Sequence, residues 1–316
     1  METVHTYKRE EAAAKRLSRR HPIYKDRHLY LMLLPGLLFF IVFKYIPLYG
    51  IVIAFQDYDI FRGIRESEWV GWDTFKEVFA YSDFWVILGN TLQISVYKIL
   101  FGFPAPIVVA LLLNELGNRY FKKYVQTILY LPHFISWVVI SGIVLTIMSP
   151  TNGVLSIVYE WFGMEPKNLL ADPTAFRIIL VASDIWKDLG WGTIIYLAAL
   201  TQVDPSLYEA ATVDGAGKWK QTWHITLPGI RNVIVLLLIL RIGLLMNAGF
   251  EQILVMQNSA VLEVSEILDT FVFKFGLQQG NYSFATAVGL FNSAIALILI
   301  LGAQWISKKF GEEGLM

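Results

Sequence analysis

Cysteine is absent from all 316 residues, which excludes disulfides and thiolate metal sites. Histidine is scarce, five residues scattered without ligand spacing, so no metal centre is expected. Charge is thin as well: 16% of residues are Asp, Glu, Lys or Arg, where an ordinary soluble domain carries about 25%. No Gly-x-x-x-x-Gly-Lys-Ser/Thr run occurs, so the chain is expected to bind no nucleotide or other cofactor itself. No secretory signal with a small-residue cleavage site is visible; the basic N-terminal tail leads straight into an apolar run too long for a signal core, and that run is expected to stay as an anchor.

Apolar sequence is what the chain has in excess: 55% hydrophobic residues and a mean hydropathy of +0.51. Runs long enough to cross about 30 Å of hydrocarbon cover roughly residues 29–55, 84–113, 124–148, 176–200, 233–256 and 284–306. They predict an all-α membrane protein with six transmembrane helices in the lipid bilayer. Its parts are an N-terminal tail over 1–28, a transmembrane domain over 29–307 and a C-terminal tail over 308–316. Pro35, Lys44 and Pro47 make the first run either a long kinked helix or a helix plus an interfacial piece.

Six spans put both termini on one side, and basic residues choose that side. The tails and the segments near 119–123 and 201–231 carry sixteen Lys and Arg, from Lys8 to Lys309, against five on the opposite side: Arg62, Arg65, Lys76, Lys167 and Lys274. Both termini and the 201–231 loop are therefore expected in the cytoplasm, the tail over Lys8 to Arg20 reading as a solvated or membrane-surface helix ahead of a specific ATPase contact. The opposite loops, about 57–83, 149–175 and 257–283, are too small for separate domains. Trp69, Trp72 and Phe75 in the first of them suit a protein contact or the headgroup layer equally.

The 201–231 loop carries Glu209-Ala210-Ala211, Gly215 six residues after the Glu, and Ile225-Thr-Leu227-Pro228 at its end. Ser206 to Ala211 predicts a short helix with Glu209 near its positive end, and Asp214-Gly215 a sharp turn. Lys218 to Thr226 predicts a second helix, with Trp219, Trp223 and Ile225 toward the membrane, Lys218 and Lys220 toward water, and Pro228 ending it. A second tripeptide, Glu11-Ala12-Ala13, has Leu17 where the Gly should stand and no Ile-x-Leu-Pro after it, and is discarded.

This order and spacing resembles the cytoplasmic EAA loop of ABC importer permeases. Leu33-Leu-Pro35-Gly36, Tyr45-Ile-Pro47-Leu-Tyr49-Gly50 and Ala54-Phe-Gln-Asp-Tyr58 resemble the carbohydrate-uptake group within it, especially the polysaccharide-fragment importers, so that the likeness runs from about His28 onward. The resemblance implies a type I importer fold in a bacterial cytoplasmic membrane, with the loop as a coupling helix seated in a cleft of an ATPase. Glu209, Ala210, Ala211, Asp214 and Gly215 would make that contact. It also implies a second permease subunit, in a heterodimer, two ATP-binding cassette subunits that use the ATP and Mg²⁺, and an extracytoplasmic solute-binding protein. No nucleic-acid partner is expected. Many relatives carry a second Pro four residues after the first, where this chain has Asn232.

An ionisable side chain near the bilayer centre costs at least about 2.5–3.5 kcal/mol, so each should face a partner, water or substrate. The fourth run carries Asp184, Trp186, Lys187, Asp188 and Trp191, with Asp184, Asp188 and Trp191 on one helical face. The fifth carries Arg241, Asn247, Glu251 and Gln252. Together these form the candidate substrate pathway: Trp186 and Trp191 offer faces for sugar rings, Asn247 and Gln252 planar groups for hydroxyls. Arg241 either pairs with Asp184 or Asp188 or, with Lys187 nearby, holds a substrate carboxylate, which would favour an acidic oligosaccharide. Asn90, Gln93 and Lys98 in the second run suit a partner-subunit contact, and Asn292 in the sixth suits helix packing. The rival class is an ion-coupled secondary transporter of a polar solute, for which the paired, interrupted halves are missing. A membrane enzyme would cluster its acid, base or metal residues at an interface near a span end; it is not expected, since the one candidate pair, Asp184 and Asp188, is placed at mid-depth with no His nearby.

Overall fold

The computed structural model describes residues 27–309; the expected tail helix from Lys8 to Arg20 lies outside them. Two compact units meet in the chain between Val52 and Ile53.

In the first unit, α1 (Arg27–Phe40) keeps Pro35 inside it. The winding then loosens to a π turn over Ile41–Tyr45 and tightens to a 3₁₀ helix over Ile46–Phe55. The change falls just upstream of Pro47, whose ring crowds the carbonyl four residues back and which brings no N–H to an α ladder. The run is thus one continuous helical stretch of 29 residues with altered winding along it.

The second unit is mostly helical, with one short antiparallel ladder pairing β1 (Gln56–Asp57) with β2 (Glu68–Trp69). Phe55 stacks on Trp69 at 5.8 Å and meets Trp72 and Phe75 at 5.4 and 5.3 Å. These aromatics brace the hairpin against α2 (Asp73–Ala80) while Trp69 and Trp72 stay exposed.

The α3 (Phe84–Gly102) and α4 (Pro104–Glu115) helices form one 32-residue span. Pro104 sits at the first position of α4, where a missing N–H costs nothing. Next come α5 (Arg119–Tyr130), capped by the Asn118 side chain, a 3₁₀ turn over Leu131–Phe134, and α6 (Trp137–Ile147), capped by Ser136. This pair is bent by 105°, so the third apolar run is not a straight span.

The central helix is α7 (Pro173–Leu200), 28 residues long, opened by Pro173 and by the Asp172 carboxylate accepting from Ala175 N at 2.7 Å. It is long enough to cross a bilayer, though Arg177, Asp184, Lys187 and Asp188 make it far more charged than the other long helices. It packs against α3, α4 and α5.

After α8 (Pro205–Val213) and a turn, α9 (Lys218–Gln221) runs on through a π turn over Thr222–Thr226 into a helical turn over Leu227–Gly229. Pro228 therefore does not end the helix. It is the second residue of that last turn, and the break comes at Ile230, where the chain bends 62° into α10 (Arg231–Gly243). The fifth apolar run is split as well. Helix α10 stops at Gly243 and α11 (Phe250–Met256) begins only after Gly249, whose φ is +99°. Last are α12 (Leu268–Val272) and the 28-residue α13 (Tyr282–Lys309).

Among the described residues, three helical stretches are long and apolar enough to cross a membrane: Arg27–Phe55, Phe84–Glu115 and Tyr282–Lys309. The two bent pairs raise the number to five if each is one span. One apolar cluster joins α2, α3, α12 and α13 through Phe75, Phe84, Phe271 and Phe284. A second joins α3, α6, α7 and α11 through Ile94, Ile140, Phe176 and Ile253. A third joins α4, α7 and the start of α10 through Ala110, Tyr196 and Ile230.

Candidate functional site

Charged side chains meet where α3, α7 and α10 come together. Lys98 Nζ on α3 donates to Asp184 Oδ1 on α7 at 2.8 Å, and Arg241 Nη2 on α10 donates to Asp184 Oδ2 at 3.3 Å. One carboxylate thus bridges two cations. Lys98 also donates to Gln252 Oε1, and Gln252 Nε2 donates to Leu180 O and Ser183 Oγ, both at 2.8 Å. Each buried polar atom of that chain of contacts has a partner, the condition for keeping charge in an apolar interior.

Two cavities, about 220 and 210 Å³, open on this cluster and share Asp184, Asp188 and Arg241 in their walls. The first adds His133 and Trp191, the second Lys98, Trp137 and Asn247. Asp184, Asp188 and Trp191 do form the cavity-facing side of α7. Trp186, two residues from Asp184 and so about 200° around the helix, is exposed and lines neither cavity. Lys187 is turned away: its Nζ donates to His133 O at 2.9 Å, Pro132 O at 3.5 Å and Ile135 O, tying down the corner between α5 and α6. Glu251 is exposed and Gln252 fully buried in the internal network; neither lines these cavities.

Two expectations are corrected: the partner contact of Lys98 and the absence of a histidine near Asp184 and Asp188. Lys98, assigned to a partner-subunit contact, is an internal counter-ion. His133, with no apparent relation to the acidic pair, has its Nδ1 3.1 Å from Asp188 Oδ1. The corner bend brings it there across 55 residues of sequence. Asn292 packs as expected, donating to Asp269 Oδ1 at 3.3 Å; burial raises the Asp269 carboxyl above its usual pKa.

The loop after α7 is a compact helix–turn–helix. Asp204 Oδ1 accepts from Ser206 N at 2.9 Å and opens α8; these hydrogen bonds hold its carboxyl below the usual pKa. Gly215 takes φ +75° at the turn, a left-handed conformation that suits a residue without Cβ. Gln221 Nε2 reaches back to Thr212 Oγ1 and Ala216 O at 3.1 and 3.0 Å, and Tyr208 OH donates to Thr226 Oγ1 at 3.0 Å. Glu209, Ala210, Asp214 and Gly215 are exposed and Ala211 half-buried. Glu209 is the fifth residue of α8, beyond the first turn where the helix dipole acts, so its place near the positive end is corrected. Trp219 and Trp223 are exposed and stack at 6.1 Å.

Residues 102–312 match the family described as binding-protein-dependent transport system inner membrane component. The chain belongs to that family: it is an ABC importer permease, a class that sets aside the ion-coupled carrier. It is 48% identical to protein LplB of Bacillus subtilis (strain 168) over 303 residues, covering 96% of this chain and 95% of that one. It is also 48% identical to the polygalacturonan/rhamnogalacturonan transport system permease YteP of the same organism, covering 92% and 91%. Among solved structures it resembles a bacterial ABC transporter involved in the import of the acidic polysaccharide alginate, with 40% identity, a TM-score of 0.85 and coverage of 91% and 97%. A second structure, of the alginate transporter in complex with alginate pentasaccharide-bound periplasmic protein, matches at 39% identity and TM-score 0.86, covering 93% and 98%.

Proposed function

We propose that this permease carries an acidic oligosaccharide, such as a uronic-acid-containing fragment, across a bacterial cytoplasmic membrane, with six spans and both termini in the cytoplasm. The observation that carries the substrate reading is the Arg241 guanidinium, which lines both cavities with its side chain 37% exposed although Asp184 is its neighbour. A guanidinium presents paired donors that fit a carboxylate, and Trp191, 49% exposed beside it, offers a face to the sugar ring. The relatives named above, two of them alginate transporters, support the same chemistry.

In this reading the chain is half of a pore and a transducer. A second permease subunit completes the pathway, an extracytoplasmic solute-binding protein delivers the sugar, and two ATPases bind ATP and Mg²⁺, which this chain does not. The α8 surface bearing Glu209, Ala210, Ala211, Asp214 and Gly215 docks in an ATPase cleft: the alanines keep the helix slim, Val213 adds an apolar contact, and Glu209 a charged one. Closure of the ATPases drags this rigid helix–turn–helix, which pulls on α7 and α10 at its two ends and moves the cavity walls between inward and outward openings.

The test is purification of the tagged chain from membranes as wild type, Gly215→Pro and Glu209→Lys. Loss of the ATPase from the variants with the second permease retained supports the coupling role; an ATPase bound equally to all three, or to none, removes it.

A further inference from the structure

Asp184 is shared by two cations that differ in their access to the cavity. The Lys98 side chain is 5% exposed, that of Asp184 10% and that of Arg241 37%. Lys98 is committed on every side described, to Asp184 and to the Gln252 amide. Its ammonium also lies where a side chain on Gly249 would begin: a Cβ there would stand 2.5 Å from Lys98 Nζ. The break between α10 and α11 thus leaves room for this one cation. The neighbouring charges are engaged elsewhere, Asp188 with His133 and Lys187 with the corner carbonyls.

We infer that Lys98 is the residue that sets the charge preference of the pathway: by neutralising Asp184 from behind, it leaves Arg241 as the cation presented to the substrate. With Lys98 absent, the cavity walls would set two carboxylates, Asp184 and Asp188, against the single Arg241 guanidinium, an excess of negative charge that disfavours a carboxylate. Lys98 is a positioning residue: it borders the second cavity, but its side chain is 5% exposed and its ammonium is spent on Asp184 and Gln252. The inference rests on the acidic-oligosaccharide reading and gives it a counter-ion.

The test uses the complete importer in proteoliposomes with its binding protein, measuring ATP-driven uptake of an alginate pentasaccharide and of a neutral glucan pentasaccharide. In Lys98→Met the acidic-to-neutral uptake ratio is expected to fall about tenfold, the discrimination one charge-assisted hydrogen bond supplies. In the double variant Lys98→Met/Asp184→Asn, which removes both members of the inner pair and restores the wild-type balance of charge around Arg241 and Asp188, the ratio is expected to return to within about threefold of wild type, the residual that imperfect additivity allows. A double variant as unselective as the single one overturns the inference, as does a Lys98→Met protein as selective as wild type. Should Lys98→Met fail to reach the membrane, the double variant against wild type decides by the same ratio. Arg241→Gln separates the two levels: if it leaves the ratio unchanged, the acidic-oligosaccharide reading fails, whatever Lys98 does.

Discussion

The His133 ring lies parallel to the Trp191 indole, 4.7 Å between centroids and 5° between planes, with its Nδ1 on the Asp188 carboxylate. A residue of the corner between α5 and α6 thereby covers one face of a cavity tryptophan and leaves the rest of the indole open.

Sugar stacking on Trp191 is indifferent to substrate charge. Trp191→Ala should therefore reduce uptake of acidic and neutral pentasaccharides by the same factor, about 2- to 13-fold for an aromatic contact of about 0.5–1.5 kcal/mol. Arg241→Gln should reduce the acidic one alone. Parallel uptake assays with both sugars check this; a charge-dependent loss in Trp191→Ala would assign the indole to orienting Arg241 instead.

Lys187 should matter for stability and not for selectivity. Its ammonium serves three carbonyls at the corner between α5 and α6, and leaving buried acceptors unpaired costs about 1–3 kcal/mol. Lys187→Met should lower the thermal unfolding midpoint in detergent by several degrees and keep the acidic-to-neutral uptake ratio of wild type. A lowered ratio would return Lys187 to the substrate pathway.

Two glycines with positive φ should respond differently to alanine. At Gly215 nothing lies within 4 Å of the added Cβ, so only left-handed strain of about 1–2 kcal/mol applies. At Gly249 the same strain is joined by a clash with Lys98 Nζ, which cannot withdraw without abandoning Asp184. Gly249→Ala should show the larger fall in unfolding midpoint and also a reduced acidic preference. Equal falls would mean that Lys98 has somewhere else to go.

The location of the apolar segments was legible in the sequence, because length and hydropathy suffice to mark them. Their interruptions were less so: the 105° corner comes at the two extended residues Ile135 and Ser136, and the split at residues 244–249 includes the left-handed Gly249. On α7 the shared face of Asp184, Asp188 and Trp191 follows from helical geometry, and the three line one cavity. The same geometry would have set Trp186 aside, being about 200° from Asp184. Lys98 and His133 left no such trace, since their partners lie 86 and 55 residues away and depend on how helices pack. A buried lysine in a span was itself a signal, as its cost demands a carboxylate somewhere.

The segment before α12 is fastened from two sides, and the fastening is sequential. Arg177 donates from Nη2 to Asn90 Oδ1 at 2.8 Å and from Nε to Val264 O at 3.1 Å. The guanidinium thereby fixes the Asn90 amide, whose Nδ2 then donates to Glu263 O and Glu266 O at 2.7 and 3.2 Å. Removing Arg177 frees both its own carbonyl and the orientation of Asn90, so Arg177→Ala and Asn90→Ala should both speed amide exchange at residues 262–266. Groups acting as one network are non-additive: the double variant should exchange little faster than the faster single one. Additive rates in hydrogen-exchange mass spectrometry would mean that the two side chains hold the segment independently.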